Sequence, residues 1–368
     1  MSLESANIAL QKAREMAASD LLFGPNMPPA VKVGGVYRYL PLERIGVDEL
    51  WQILETMFPE WQVKNFRERA QKKRSPEDAY VSFSGTESRY RVQVSWTASD
   101  AERDLGEVIA PVISLRLIPK QVWAYRDLGL PDQLVSMTSY DAGLILVVGP
   151  TDSGKTTTLV SLVEHLNAEE TRYILMVEKP IEYRITPRRG IVFQREVPLH
   201  VSSMPEAVHT ALRSNVDVVV LGEMRQPEEY KAALEAAETG HLVLASMHAP
   251  GVIEAVERIV QSMPDQKLAA QILGNTLLGV IAQRLIPTGD SWRAMAYEFL
   301  VMNTRARQHI KAMEFDKLYQ LMATSGGLMT TLEMSVAELV RRRKIAHEVG
   351  RFFVNREDVF NELLRPVS

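Results

Sequence analysis

Leu144-Ile145-Leu146-Val147-Val148-Gly149-Pro150-Thr151-Asp152-Ser153-Gly154-Lys155-Thr156-Thr157 is the stretch on which the reading of this chain turns. Leu144 to Val148 is a short apolar run of buried-strand type, and Gly149 to Thr156 satisfies G-x-x-x-x-G-K-[ST]. Leu159, Leu162, Val163 and Leu166 then recur at helical spacing and predict a helix over Thr157 to Asn167. Strand, glycine-bearing turn and helix in that order make an anion cradle, because successive backbone N–H groups and the positive helix end face one point. In such a loop Lys155 reaches the β- and γ-phosphates of ATP, and the Thr156 hydroxyl is placed for Mg²⁺. Gly149, Pro150, Thr151, Asp152, Ser153, Gly154, Lys155, Thr156 and Thr157 are therefore the expected nucleotide loop.

Around this loop the pattern is regular. Ile174 to Val177, Val218 to Leu221 and Leu242 to Ala245 are further short apolar runs separated by helical stretches, the signature of a mostly parallel sheet covered on both faces. The run from Asp217 to Leu221 ends in Gly222-Glu223-Met224-Arg225. By itself a glutamate after a strand is a solvated loop residue; beside a phosphate loop, Glu223 becomes the candidate for organising metal and water. Beyond Met263, Leu273, Leu277 and Ile281 share a helical face, and Thr331 to Leu364 is helix-rich, so a helical subdomain is expected there.

Upstream, the chain reads as a smaller mixed α/β module. Asp48 to Phe58 carries Leu50, Ile53, Leu54 and Met57 at helical spacing, with Asp48 as its N-terminal signal. A basic, uneven stretch from Lys64 to Arg74 comes next and is closed by Pro76. Arg89 to Trp96 alternates, with Tyr90, Val92, Val94 and Trp96 on one face and Arg89 and Arg91 on the other. Ile113, Leu115 and Leu117 repeat the alternation with Arg116 opposite, before Pro119. The expected division is 1–117 for this module, 118–134 for a linker and 135–368 for the phosphate-loop domain.

Composition narrows the classes. The 368 residues are 46% hydrophobic, enough for two ordinary cores and incompatible with a peptide hormone or a disordered tail. Lys and Arg number 42 against 46 Asp and Glu, giving a net charge of -4, so no general basic field advertises a nucleic-acid binder. Cysteine is absent, which removes disulfides, thiol catalysis and Cys-based metal sites together. Glu4, Lys12, Arg14 and Glu15 interrupt the first twenty or so residues, so no secretory signal is read and a cytoplasmic location is expected. The uncharged run between Lys267 and Arg284 is too short and too polar to span a bilayer.

Taken together, several motifs resemble a family. Gly149-Pro-Thr-Asp-Ser-Gly-Lys-Thr-Thr-Thr-Leu159, Val177-Glu-Lys-Pro-Ile-Glu-Tyr183, Gln194-Arg-Glu-Val197, Leu221-Gly-Glu-Met-Arg225, Ala237-Glu-Thr-Gly-His-Leu-Val243 and Ser246-Met-His-Ala249 resemble the Walker, Asp and His boxes of the type II and type IV secretion ATPases. Ala18-Ser-Asp-Leu21, Arg89-Tyr-Arg91, Arg116-Leu-Ile-Pro119, Ala282-Gln283 and Thr331-Leu-Glu-Met334 extend the likeness nearly end to end. The resemblance implies a PAS-like N-terminal domain followed by a RecA-like ATPase domain with a helical C-terminal part. It implies Glu182 as general base, Glu223 as the residue positioning Mg²⁺ and water, and His241 and His248 as sensors of the γ-phosphate. The alternative reading of His241, the weaker of the two, is a histidine at a helix C-terminus beside Gly240.

The resemblance also implies that Arg89, Arg91 and Arg116 reach the nucleotide of a neighbouring subunit in a homohexameric ring; as residues alone they read as a solvated basic strand face. One departure is plain: the family's Glu-Asp-Pro-Ile-Glu is here Glu178-Lys179-Pro180-Ile181-Glu182, a local charge reversal. Leu212-Arg-Ser-Asn-Val-Asp217 likewise lacks the acidic pair usual after its arginine. Without the four-cysteine insertion of assembly ATPases, the chain is most similar to the compact PilT-like branch. Lys179 and Pro187-Arg-Arg189 lean within it toward the DotB/TraJ-type ATPases of type IVB secretion and plasmid conjugation. The implied roles are a motor for secretion or conjugative DNA transfer, or alternatively for type IV pilus retraction. Inner-membrane platform proteins would then be its partners, with peripheral membrane association through them and no stable nucleic-acid binding. A helicase-like DNA motor and a nucleotide-binding scaffold without turnover are the readings outside that class.

Overall fold

The computed structural model of the chain describes residues 2–16, 18–71, 79–84, 89–100, 107–118, 122–289 and 293–365. They form two compact units, Met1–Gln121 and Val122–Ser368. Pro76 and Pro119 lie outside the described residues, as does the side chain of Arg89.

The first unit runs α1 (Ser2–Glu15), β1 (Asp20–Phe23), β2 (Ala30–Val33), β3 (Val36–Tyr39), α2 (Val47–Met57), α3 (Glu60–Gln71), β4 (Ala79–Ser84), β5 (Arg89–Asp100) and β6 (Glu107–Ile118). Its six strands pair antiparallel in the order β3-β2-β1-β6-β5-β4. Helix α2 buries Leu50, Ile53, Leu54 and Met57, as their spacing predicts. Its start is closed not by Asp48 but by Glu49, which accepts the Gly46 N–H at 3.0 Å. On β5, Tyr90, Val92 and Val94 are buried, while Trp96 sits at the core's margin against Trp51, ring centroids 5.5 Å apart. Much of the basic stretch from Lys64 belongs to α3, whose core contacts are only Val63 and Phe66. So narrow an apolar stripe leaves little periodicity to detect.

The second unit runs α4 (Asp132–Ser136), β7 (Gly143–Val148), α5 (Lys155–Glu169), β8 (Tyr173–Glu178), β9 (Ile191–Glu196), α6 (Met204–Ala211), β10 (Val218–Met224), α7 (Pro227–Glu238), β11 (Leu242–Met247), α8 (Val252–Gln261), α9 (Gln266–Thr276), β12 (Leu277–Pro287), β13 (Arg293–Val301), α10 (Thr304–Lys311), α11 (Asp316–Ala323), α12 (Leu332–Arg341), α13 (His347–Arg351) and α14 (Glu357–Leu363). Helix α4 begins inside the stretch read as linker, and its Leu134 and Val135 are buried. The sheet order is β13-β12-β7-β11-β10-β8-β9, parallel throughout except for the β12–β13 pair. This is the expected mixed α/β architecture of a small domain, a domain built on a mostly parallel sheet, and C-terminal helices.

One expectation is overturned. Leu273, Leu277 and Ile281 do not share a helix: α9 ends at Thr276, and Leu277–Pro287 is strand β12, paired with β7 on one side and β13 on the other. Being buried on both faces, a strand there shows no period-2 signal, and a spacing of four is satisfied by chance. Among the described residues, no helix is long and apolar enough to cross a membrane.

Strand β13 carries a buried carboxylate. Glu298 Oε2 accepts the Val252 N–H at the start of α8, at 2.9 Å. Burial raises its pKa to about 7, the charges of Glu254 and Glu333 add to the rise, and the Val252 bond and Arg284 oppose it. The folded state thus holds this proton more tightly than the unfolded state, so the contribution of Glu298 falls as pH rises from about 4.5 through about 7. Glu298→Gln keeps an acceptor for Val252 and does not ionise. Thermal melts from pH 5 to 8 should show the variant gaining Tm over the parent as pH rises, at about 2–4 °C per kcal/mol; parallel curves would exclude this account.

Candidate functional site

Parallel strands direct their C-terminal ends to one edge, and the functional side chains collect there. Strand β7 feeds the loop that begins at Gly149, with φ 151°. A Cβ at that position would lie 2.5 Å from both the Gln283 carbonyl oxygen and Ser153 Oγ, so only glycine lets the loop turn this closely against β12. Gly154, with φ 90°, adopts the left-handed conformation that opens α5, and no side chain caps that helix start. Ser153 Oγ is buried without a hydrogen-bond partner. An uncapped helix N-terminus, a close backbone turn and an orphaned hydroxyl fit a phosphate chain that would bond them.

Lys155 is only 7% exposed. Its Nζ donates to the carbonyl oxygens of Gly149 (3.1 Å) and Pro150 (2.7 Å) and lies 3.4 Å from His248 Nδ1. Burial pulls its pKa below the usual lysine range, against the raising effect of Glu223, Asp152 and Glu182. Added phosphate charge at this point would favour the ammonium form, which ties anion binding to the protonation of Lys155.

Glu223 comes from β10, whose pairing with β11 shifts register between Leu221 and Met224 and frees the Gly222-Glu223 segment from the ladder. Its Oε1 accepts Arg225 Nε at 2.5 Å and lies 3.0 Å from His248 Nε2. Burial would raise the carboxyl pKa, but the bond and charge of Arg225, with His248 and Lys155, hold it below the ordinary range. The group is thus an anion at neutral pH, as a metal-organising carboxylate must be. Thr156, half-buried at the loop's end, and Glu223 are the residues that could hold Mg²⁺.

The segment after β8 supplies Glu182. Gln194 on β9 bonds it on two sides: Nε2 donates to the Tyr183 carbonyl (2.7 Å) and to Glu178 Oε1 (3.0 Å), and Oε1 accepts Ile185 N–H (3.0 Å). Buried Glu196 accepts the Ile181 N–H at 3.1 Å. The Tyr183 hydroxyl is bonded to Thr157, tying the segment to the first turn of α5. Glu182 is half-buried, and its charge is felt at Lys155. Lys179, two residues before the first of these backbone bonds, is exposed.

Not every expected residue joins this cluster. His248 does, at the C-terminal end of β11, with its carbonyl accepting Arg258 of α8. His241 precedes the same strand, about 20 Å away at strand rise, and its Nδ1 lies 3.3 Å from the Ala236 carbonyl at the end of α7. Within one chain the structure therefore does not bring His241 to Lys155; its surroundings are those of the helix C-terminus beside Gly240. In the first unit, Arg91 and Arg116 are direct cross-strand neighbours on β5 and β6. Arg116 Nε bonds buried Asp20 at 3.2 Å.

Two contributors are given no site role by the sequence, although Gln283 lies in the Ala282-Gln283 pair of the family likeness. Gln283, buried on β12, donates to Thr158 Oγ1 at 2.9 Å and backs the loop through its carbonyl. Arg258 has no motif to announce it, because its partner is the backbone of His248.

Comparison with known proteins settles the family. A family model described as type II/IV secretion system protein matches residues 60–351. The chain belongs to that family. It is an ATP-hydrolysing secretion-type ATPase. It is 31% identical over 340 residues to the "Type IV pilus retractation ATPase PilT" of Pseudomonas aeruginosa, covering 92% of this chain and 94% of that one. A "Twitching motility protein" of Neisseria gonorrhoeae is also 31% identical, over 88% of this chain and 83% of its own length. Among solved structures, the pilus retraction motor PilT with bound ADP superposes with a TM-score of 0.82 at 30% identity, covering 96% of this chain and 98% of that one. The Legionella pneumophila ATPase DotB shares the fold, with a TM-score of 0.79 at 24% identity over 94% of each chain.

The two loop glycines separate steric from conformational demands. Gly149→Ala meets the backbone of Gln283, whereas a Cβ on Gly154 would meet only Leu285 Cδ1 at 3.8 Å. In calorimetric titration with ADP, Gly149→Ala should lose tenfold or more in affinity. Gly154→Ala should cost about 1–2 kcal/mol of backbone strain in stability. Equal effects of the two on affinity would contradict the close packing at Gly149 as the deciding factor.

Proposed function

We propose that this ATPase drives a type IV machine as a homohexameric motor, hydrolysing ATP with Mg²⁺ at the edge formed by β7, β10 and β11. The observation that carries this reading is the joining of Lys155, Glu223 and His248 through contacts of 3.0–3.4 Å. Phosphoryl transfer asks mainly for placement and charge neutralisation, and this cluster provides both. Bound Mg²⁺, held by Thr156 and Glu223, would neutralise charge on the β- and γ-phosphates. Lys155 binds the same oxygens, Glu182 orients and deprotonates the attacking water, and Glu223 holds its partner groups in register. Loss of the γ-phosphate would be felt at His248 through Lys155 and passed to α8 through Arg258.

Arg89, Arg91 and Arg116 are assigned to the nucleotide of an adjacent subunit, so that hydrolysis depends on ring assembly. The partners are platform proteins of the inner membrane, at whose cytoplasmic face the ring is recruited; nucleic acid is not gripped by this chain.

Two roles fit such a motor. Transfer of DNA or protein through a type IVB-like or conjugative apparatus is supported by the charge-reversed Lys179 and by Pro187-Arg-Arg189. Pilus retraction is supported by the names and near-complete coverage of the Pseudomonas and Neisseria relatives, which fit it at least as well. Loss of the gene should abolish twitching in the second case and DNA or effector transfer in the first.

The chemical assignment is tested by Glu182→Gln. General-base catalysis contributes about 10²–10⁴-fold, so phosphate release by the variant should fall by at least a hundredfold while ADP affinity stays at the parental value. Retained turnover would remove Glu182 from the role of base.

A further inference from the structure

The Gln194-Arg-Glu-Val197 motif has no chemical role of its own at the nucleotide, yet two of its side chains spend their polar atoms on one short segment. Strand β9 runs parallel to β8, with Met176 opposite Gln194 and Glu178 opposite Glu196, so Gln194 and Glu196 share one face of the sheet's last strand. The chain leaves β8 at Glu178 and passes through Glu182 before it returns to β9. Gln194 fills both ends of its amide there: donor bonds to the Tyr183 carbonyl (2.7 Å) and Glu178 Oε1 (3.0 Å), acceptor bond from Ile185 N–H (3.0 Å). Glu196 takes the Ile181 N–H at 3.1 Å. The backbone is thus gripped at the residue before Glu182, the residue after it and two residues further on.

We infer that Gln194 is a positioning residue for hydrolysis, with Glu196 as its counterpart: together they fix the backbone on both sides of Glu182 and so set where its carboxylate stands relative to Lys155. This rests on the reading of Glu182 as the base. The requirement is physical. The Glu182 segment has no ladder of its own, and a carboxylate displaced by about 1 Å from its working position costs roughly a hundredfold in rate. An amide is suited to the task, since it offers a donor and an acceptor in fixed geometry, here to a carbonyl and an N–H of the same segment. Neither residue needs to touch nucleotide.

The test uses the full chain and compares Glu182→Gln, Gln194→Ala, Gln194→Glu and the double variant Glu182→Gln/Gln194→Ala. Steady-state ATP hydrolysis gives kcat and KM, titration gives ADP affinity, and melting gives Tm. Gln194→Ala should lower kcat by ten- to a hundredfold with KM and ADP affinity unchanged. Gln194→Glu keeps the Ile185 bond but sets a carboxylate against the Tyr183 carbonyl and Glu178. It should lose at least as much kcat at pH 8 and guards the test if the alanine variant does not fold. Because Gln194 acts through Glu182, the double variant should turn over no more slowly than Glu182→Gln alone.

Parental kcat in either folded Gln194 variant, a loss confined to KM, a fall in ADP affinity alongside kcat, or multiplying losses in the double variant would each overturn the positioning role while leaving Glu182 as base. Parental turnover in Glu182→Gln would instead overturn the base, and the positioning role with it.

Discussion

A lysine ammonium held almost out of water is the constraint on which the second unit depends. Lys155 is stable there only because the Gly149 and Pro150 carbonyls bond it and because Glu223, Asp152 and Glu182 surround it with negative charge. The compensating groups are delivered by different elements: the turn after β7, the frayed end of β10 and the segment after β8. Burial of one charge therefore demands that the sheet order, the register shift at Leu221 and the close turn at Gly149 all hold at once.

The same arrangement links the site to a neighbouring helix. Glu223 stands between Arg225 and His248, and His248 in turn lies against Lys155. A phosphate chain that engages Lys155 competes directly with contacts that run onward to His248 and, through its carbonyl, to Arg258 on α8. Contiguous hydrogen bonds and ion pairs thus run from Lys155 to helix α8, the physical route along which the proposed sensing would pass.

The parts of this organisation legible in the sequence are those with local signatures. The apolar runs of β7, β8, β10 and β11, the glycine-lysine loop and the amphipathic face of α2 each announce themselves within a dozen residues or so. What stays hidden depends on distant partners. Strand β12 is buried on both faces and mimics a helical spacing, and α3 has too narrow an apolar stripe to register. Gln283 stands in the Ala282-Gln283 pair of the family likeness, but its role rests on Thr158, 125 residues away, and on its own carbonyl, while Arg258 acts on the backbone of His248; neither role can be read from local spacing. His241 is the converse case: its motif position suggests the phosphate, while within one chain the strand between it and His248 places it at the other edge of the sheet.

The central claim is that Lys155, and the buried charge cluster around it, forms the nucleotide site. Isothermal titration of the full chain with ADP and Mg²⁺, set beside Lys155→Ala, tests it most directly. Binding by the parent and its loss in the variant are expected, with a melting transition retained because Arg225 still pairs with the Glu223 left behind. Equal affinity in the two proteins would contradict it.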